Sequence, residues 1–267
     1  MAGSAADGER PTLSSVANSL RVLVTLVNHG EIGVSDIGRE LDLTGGTVFR
    51  LLSTLCDAGF AEQNPGNRKY RPGPQVLELA NTIRSRTNFI DVAHGELETL
   101  MNQSAETVNL GVLRGDHVVY VDRVVGTRHQ LVMEVRVGSA IPAFCSAMGK
   151  SLLAFAEPGV QRDYLGRLAR MRPVEGITPP SRETFARELE LVVAAGHSED
   201  HGEFSPDIAC VAAPVLDAAG RAIAAVSISG PRHRIETRRA DLIPLVREGG
   251  KRMSEMAQRL GPAHARF

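Results

Sequence analysis

The hydrophobic period of this chain changes at Glu106, and that change constrains the fold class. Before it, apolar residues recur at helical spacing: Val16, Leu20, Leu23, Val24 and Val27, then Ile37 and Leu41, then Val48, Leu51, Leu52 and Leu55. After it, Val108, Leu110 and Val112 alternate, which is the period of a strand. The spacing predicts an α+β protein, with an all-helical start and then a mixed domain built on an antiparallel sheet. A chain of 267 residues has the length for one large or two ordinary domains.

Punctuation residues place the early elements. Ser14 is the expected N-cap of the first helix and Gly30 its end; Ser35 is the expected cap of a short second helix. Asp42-Leu43-Thr44 turns the chain into a third helix, which runs to about Ala58 and stops at Gly59. Residues 60–63 and 69–71 read as short strands around Asn64-Pro65-Gly66-Asn67, a strong turn sequence. Helices followed by a hairpin bearing Arg68, Lys69 and Arg71 give the order of a winged helix-turn-helix.

In the third helix Thr47 and Arg50 lie three apart and share a face, opposite the apolar one. They can offer a hydroxyl and a guanidinium to DNA. Gly45-Gly46 weakens a helix start by roughly 1 kcal/mol per glycine relative to alanine. The pair reads either as a loose turn or as a place where phosphate approaches free N–H groups. Phe49 is expected to pack inward, with a thymine methyl as the alternative contact. The candidate DNA-facing residues are Ser35, Thr44, Gly45, Gly46, Thr47, Phe49 and Arg50, with Arg68 and Lys69 on the wing.

Pro72-Gly-Pro74 breaks the chain, and residues 75–87 read as a linker helix with Val76, Leu79, Ala80 and Ile83 on one side. A further helix is expected from Asp91 to Gln103. Beyond it come strands at 107–113, 118–125 and 131–137, helices at 146–156 and 181–195, a hairpin of 210–216 and 222–229, and a last helix from Thr237 to Leu260. The expected domains are a disordered tail (1–12), a winged helix-turn-helix (13–74), a linker helix (75–90) and a ligand-binding domain (91–267).

Composition narrows the function. A net charge of −1 argues against coating nucleic acid by bulk charge, but a few placed Arg and Lys can still supply specific contacts. The start is small and polar, unlike a signal peptide, and no apolar run approaches the ~18–20 residues of a membrane span. A cytoplasmic protein with no membrane partner is expected. Cys56, Cys145 and Cys210 are widely spaced, which supports neither a disulfide framework nor a zinc ribbon.

Taken together, these segments resemble the IclR family of bacterial transcription regulators over residues 13–260. The likeness rests on Thr47-Val-Phe-Arg50-Leu-Leu and Gly59-Phe60 in the first domain. In the second it rests on Glu106-Thr-Val-Asn-Leu-Gly-Val-Leu113, Val119-Tyr-Val-Asp-Arg-Val124, Arg136-Val-Gly-Ser139, Gly149-Lys150, Cys210-Val-Ala-Ala-Pro214 and Ser227-Ile-Ser-Gly-Pro231, in the family's order. The resemblance implies a sequence-specific DNA-binding regulator, expected to be a repressor, acting on an operator in duplex DNA as a homodimer or homotetramer. It also implies a GAF-like domain that binds a small effector, an organic or aromatic acid.

Family pocket positions fall on Ala147, Met148, Asp200, Cys210, Ser227 and Ser229. Backbone N–H groups at a helix start near Ala147 and Met148 would favour an anion, and Ser227 and Ser229 share a strand face. Asp200 would accept a hydrogen bond from a ligand hydroxyl. Leu131 and Met133 could form an apolar wall. The chain departs from the family at Phe144, where histidine is common, and at Gly46, where serine is common.

Other chemistries are not supported. Gly149-Lys150-Ser151 resembles the end of a phosphate-binding loop, but the leading glycine is replaced by Phe144. There is no GxSxG, and no catalytic residue is expected. His197 and His201 are four apart, yet Gly196, Gly202 and Pro206 argue for a loop, so no metal or other cofactor is expected. The rival reading is a ligand-binding or enzymatic domain whose N-terminal helices serve only oligomerisation.

Overall fold

The computed structural model describes residues 13–86, 88–126, 136–171, 173 and 177–261. They gather into two compact units, one ending at Ser85 and the other beginning at Arg86. The expected tail and the wall residues Leu131 and Met133 lie outside the described residues, as do 131–135 of the strand expected there.

The first unit contains α1 (Ser14–His29), α2 (Val34–Leu41), α3 (Gly45–Asp57), the hairpin β1 (Ala61–Gln63) and β2 (Tyr70–Pro72), and α4 (Pro74–Arg86), whose last residue falls in the second unit. Its core is Val22, Leu26, Ile32, Ile37, Val48, Leu52, Leu55, Ala61 and Tyr70. A bridge between Ile32 and Tyr70 ties the hairpin back to the α1–α2 connection.

Three local expectations are corrected. The N-cap of α1 is Leu13, without a side-chain bond, rather than Ser14. The N-cap of α2 is Gly33, and Ser35 is an exposed residue of the helix's first turn. The Gly33 carbonyl accepts from Asp36 and Ile37 N–H, which starts the helix two residues early. The third correction concerns α1 itself. Val22 and Leu26 face the core, while Val16, Leu20, Val24 and Val27 are exposed. The helix is apolar on two sides, and α2 and α3 cover only one.

The second unit is a six-stranded antiparallel sheet with helices on both faces. Its strands are β3 (Thr107–Arg114), β4 (His117–Val124), β5 (Ala140–Pro142), β6 (Ser198–Asp200), β7 (Ile208–Leu216) and β8 (Ala222–Pro231), in the order β5-β4-β3-β8-β7-β6. Against one face pack α5 (Asn88–Ser104) and α9 (Arg232–Leu260), through Phe89, Leu97, Leu100, Leu242, Val246 and Met253. The other face carries α6 (Ala147–Ala154), with α7 (Pro158–Leu168) and α8 (Arg182–Ala195) completing its core through Tyr164, Leu168, Phe185 and Leu189. With both faces covered, β3 has almost no exposed position.

Several elements escaped the sequence reading. Residues 198–200 form a strand instead of a loop, because they pair with Cys210–Ala212. Helix α9 starts at Arg232, five residues early. Arg234 and Arg238 reach the fully buried Glu106, at 2.6 and 3.4 Å, and Ile235 enters the core. These tertiary contacts order a turn that has no local capping bond. Helix α7 begins with Pro158 at its first turn and contains two glycines, so its local signal is weak.

Candidate nucleic-acid interface and candidate effector cavity

The outward face of α3 is set by its cap. Thr44 Oγ1 accepts from the Thr47 N–H at 3.3 Å and lies 2.9 Å from Thr47 Oγ1, so the two threonines close on each other. Thr47 is half-buried as a result. Val48, Leu52 and Leu55 pack inward, which leaves Phe49 and Arg50 on the open side. Phe49 is 55% exposed, contrary to the expectation that it packs. The Arg50 guanidinium has no partner among the described residues. The face therefore presents an aromatic ring beside a free cation.

Asparagines rigidify the wing. Asn64 Oδ1 accepts from Gly66 N–H and Asn67 Oδ1 from Lys69 N–H, both at 2.9 Å. Their amides donate to Glu31 at 2.7 and 3.1 Å, and these bonds hold the Glu31 carboxyl below the usual range. Arg68 adopts φ +58° at the tip. Arg71 is committed to Glu62 across the hairpin at 2.9 Å, whereas Arg68 and Lys69 form no ion pair among the described residues.

In the second unit, register assembles a polar patch on the α6 side of the sheet. Asp200 pairs with Cys210, Cys210 with Ser229, and Ser229 with Thr107. In the next row Ser198 pairs with Ala212, Ala212 with Ser227, and Ser227 with Asn109. Opposed residues of an antiparallel ladder share a face. Asn109 Nδ2 donates to Ser229 Oγ at 3.0 Å and to Ser227 Oγ at 3.3 Å.

Helix α6 lies across this patch. Ser146 caps it by accepting from Gly149 N–H at 3.1 Å. Gly149 is required, since a Cβ would sit 2.1 Å from the Ala143 carbonyl oxygen. Ser198 Oγ donates to the Ala147 carbonyl and joins Ser151 Oγ at 2.7 Å. The Ala147 and Met148 N–H groups open the helix and have no intrahelical acceptor.

Between helix and sheet is a cavity of about 20 Å³, lined by Tyr120, Ile141, Ser146, Ala147, Met148, Asp200, Phe204, Ser205, Ile208, Cys210 and Ser227. That is room for about one water, so a larger ligand must displace the wall. Of the expected pocket residues, the structure brings together Ala147, Met148, Asp200, Cys210 and Ser227. Ser229 stands just behind, bonded to Asn109, and Phe144 is buried in the core beneath α6. Sequence reasoning missed Tyr120, Asn109 and the wall residues Phe204 and Ser205.

The wall segment is fastened by Lys150. Its ammonium, 2% exposed, meets Glu188 at 2.6 Å, Glu203 at 2.5 Å and the Glu199 carbonyl at 3.1 Å. Burial alone would lower this lysine, but Glu203 and Glu188 outweigh it and raise it. The ammonium is thus committed to protein groups, which removes the likeness to a phosphate-binding lysine. Asp200 Oδ1 accepts from Gly202 and Glu203 N–H at 2.9 and 2.7 Å. Burial still pushes its carboxyl up to about 6. Burial also raises Cys145 to about 12 and Cys210 well above the thiol range, so neither is a thiolate at neutral pH.

His197 and His201 flank β6 and both approach Glu199, which is ion-paired with Arg239. Among the described residues, no group of three or more His, Cys, Asp or Glu side chains could hold a metal ion. Among them, too, no helix is long and apolar enough to cross a membrane.

A helix-turn-helix with a basic wing, joined to a sheet domain with a small cavity beneath a helix start, defines a DNA-binding regulator with an effector domain. The comparisons identify which kind. Residues 81–255 match the family model "Bacterial transcriptional regulator IclR C-terminal", and residues 15–65 match "IclR helix-turn-helix domain". The chain belongs to the IclR family of bacterial transcriptional regulators. It is 28% identical over 255 residues to the HTH-type transcriptional regulator KdgR of Escherichia coli, covering 95% of this chain and 96% of that one. It is also 28% identical over 235 residues to the DNA-binding transcriptional repressor YiaJ of E. coli, covering 87% and 83%. An IclR homolog from Microbacterium hydrocarbonoxydans, solved in complex with 4-hydroxybenzoate, superposes with a TM-score of 0.76 at 25% identity, covering 91% and 98%. The protein is a transcriptional regulator, not an enzyme.

Proposed function

We propose that this regulator is a homodimeric or homotetrameric repressor, acting in the cytoplasm where operator DNA lies, and released or retuned by a small organic acid. The observation that carries the effector reading is the pair of free α6 N–H groups above the polar rows of the sheet. A carboxylate would take the Ala147 and Met148 N–H groups, where the helix dipole favours negative charge. Asp200 would accept from a ligand hydroxyl. The bound 4-hydroxybenzoate of the Microbacterium homolog and the name of YiaJ support the acid and the repressor readings.

On the DNA side, Arg50 and Phe49 enter the major groove, Gly45 and Gly46 admit a phosphate, and Arg68 and Lys69 meet the backbone or minor groove. The test is operator affinity, measured on a duplex selected from random DNA, with and without a saturating aromatic acid. Arg50→Ala should lower specific affinity by roughly 1–3 kcal/mol if Arg50 reads a guanine. Equal loss on all sequences would make it a phosphate contact. Ligand can act only as far as it binds two states differently, so identical operator affinity with and without acid would sink the proposed control of DNA binding.

A further inference from the structure

Tyr120 lies on β4 and lines the cavity, where the proposed acid effector would sit. Its backbone is opposed by Gly111 of β3, where Val118 and the Met148 thioether fill the space a side chain would take. The residue is only 5% exposed, yet its hydroxyl makes no hydrogen bond with any described residue. That hydroxyl is not fully enclosed, so its partner comes from outside the fold, as water or as a ligand oxygen. The other polar groups nearby are differently committed. Ser227 already receives Asn109 Nδ2, and Asp200 Oδ1 already receives two N–H groups. The chain thus spends its internal donors on the sheet rows and leaves the phenol unused.

We infer that Tyr120 is a specificity-determining ligand contact, which donates to a second oxygen of the effector, so that hydroxy- or oxo-substituted acids are preferred over plain ones. This rests on the acid-effector reading above. A phenol also accepts, so a ligand hydroxyl or carbonyl would each satisfy it. The wall segment of Phe204 and Ser205 must shift to admit either.

The experiment compares wild type with Tyr120→Phe by calorimetric titration of paired probes: 4-hydroxybenzoate and 3-hydroxybenzoate against benzoate, and lactate against propionate. Wild type should prefer the oxygenated member of at least one pair by about tenfold, and the variant should lower that ratio severalfold, leaving what Asp200 contributes. Melting of the ligand-free proteins supplies a second readout. Because no internal partner is lost, the variant should melt at the wild-type temperature or above it. A preference undiminished in the variant, or no preference in wild type among acids that bind, overturns the role of Tyr120 and leaves the effector reading intact. A marked drop in melting temperature without ligand makes the hydroxyl structural and overturns it too. Absence of binding by every acid in the panel removes the acid-effector reading itself, and this inference with it.

Discussion

Gly46 opens the recognition helix without being needed there by the fold. Its φ is not positive, and an added Cβ would meet nothing within 4 Å; at Gly45 the nearest atom is Val34 Cγ1, 4.0 Å away. Gly46→Ala should therefore stabilise the N-terminal unit by about 0.5–1 kcal/mol in urea melts while weakening operator binding. Stabilisation without weaker binding would reduce the glycine pair to a loose turn. Asp200 gives a second residue-scale expectation. Burial raises it to about 6, so the native state holds this proton where the unfolded chain has released it. Its contribution then falls as pH rises from about 4 to 6, by a total on the order of 3 kcal/mol. Melts across that range should show Asp200→Asn gaining on wild type as pH rises, and parallel curves would refute the buried charge. Residue roles were legible where they depend on nearest neighbours, as with the Asn-rich wing turn. Phe49 and Tyr120 were not. Whether an aromatic ring finds a core depends on which elements lie over it, and a tyrosine between valines reads as ordinary packing.

Among the elements, α1 carries the least expected surface. Leu13, Val16, Leu20, Val24 and Val27 form one exposed stripe at spacings of three and four. Leu77 and Leu79 of α4, in the same unit, are exposed as well. Apolar side chains in such a row mark an interaction surface, and a second copy of the chain suits the proposed homodimer, since two-fold operators match two-fold proteins. Leu20→Glu combined with Val24→Glu should shift the protein toward lower mass in light scattering and weaken operator binding, with the melt of the N-terminal unit preserved. Unchanged mass would place the dimer interface elsewhere. Helical period identified α1 as a helix, but it could not say which of two apolar sides is core. That choice belongs to α2 and α3. The same holds for β6 and the first turn of α9, which are ordered by strand pairing and by Glu106 rather than by their own propensities.

Across the whole molecule, the division between local and long-range causes is consistent. The sequence by itself determined the α+β class, the helix-turn-helix and its wing, the helix starting near Ser146 and the antiparallel β7–β8 hairpin. Each follows from periodicity or turn chemistry within a few residues, and the family likeness placed Asp200, Cys210 and Ser227 in a common pocket. Only the tertiary structure decided that Asp200, Cys210 and Ser229 stand in one row, because register across β6, β7 and β8 is a relation between strands. Only it decided that Lys150 is clamped by Glu188 and Glu203, which lie 38 and 53 positions further along the chain. Burial of both sheet faces likewise needs α5 and α9 on one side and α6 on the other. A buried charge or hydroxyl takes its meaning from groups distant in sequence, and periodicity within one element carries no information about them.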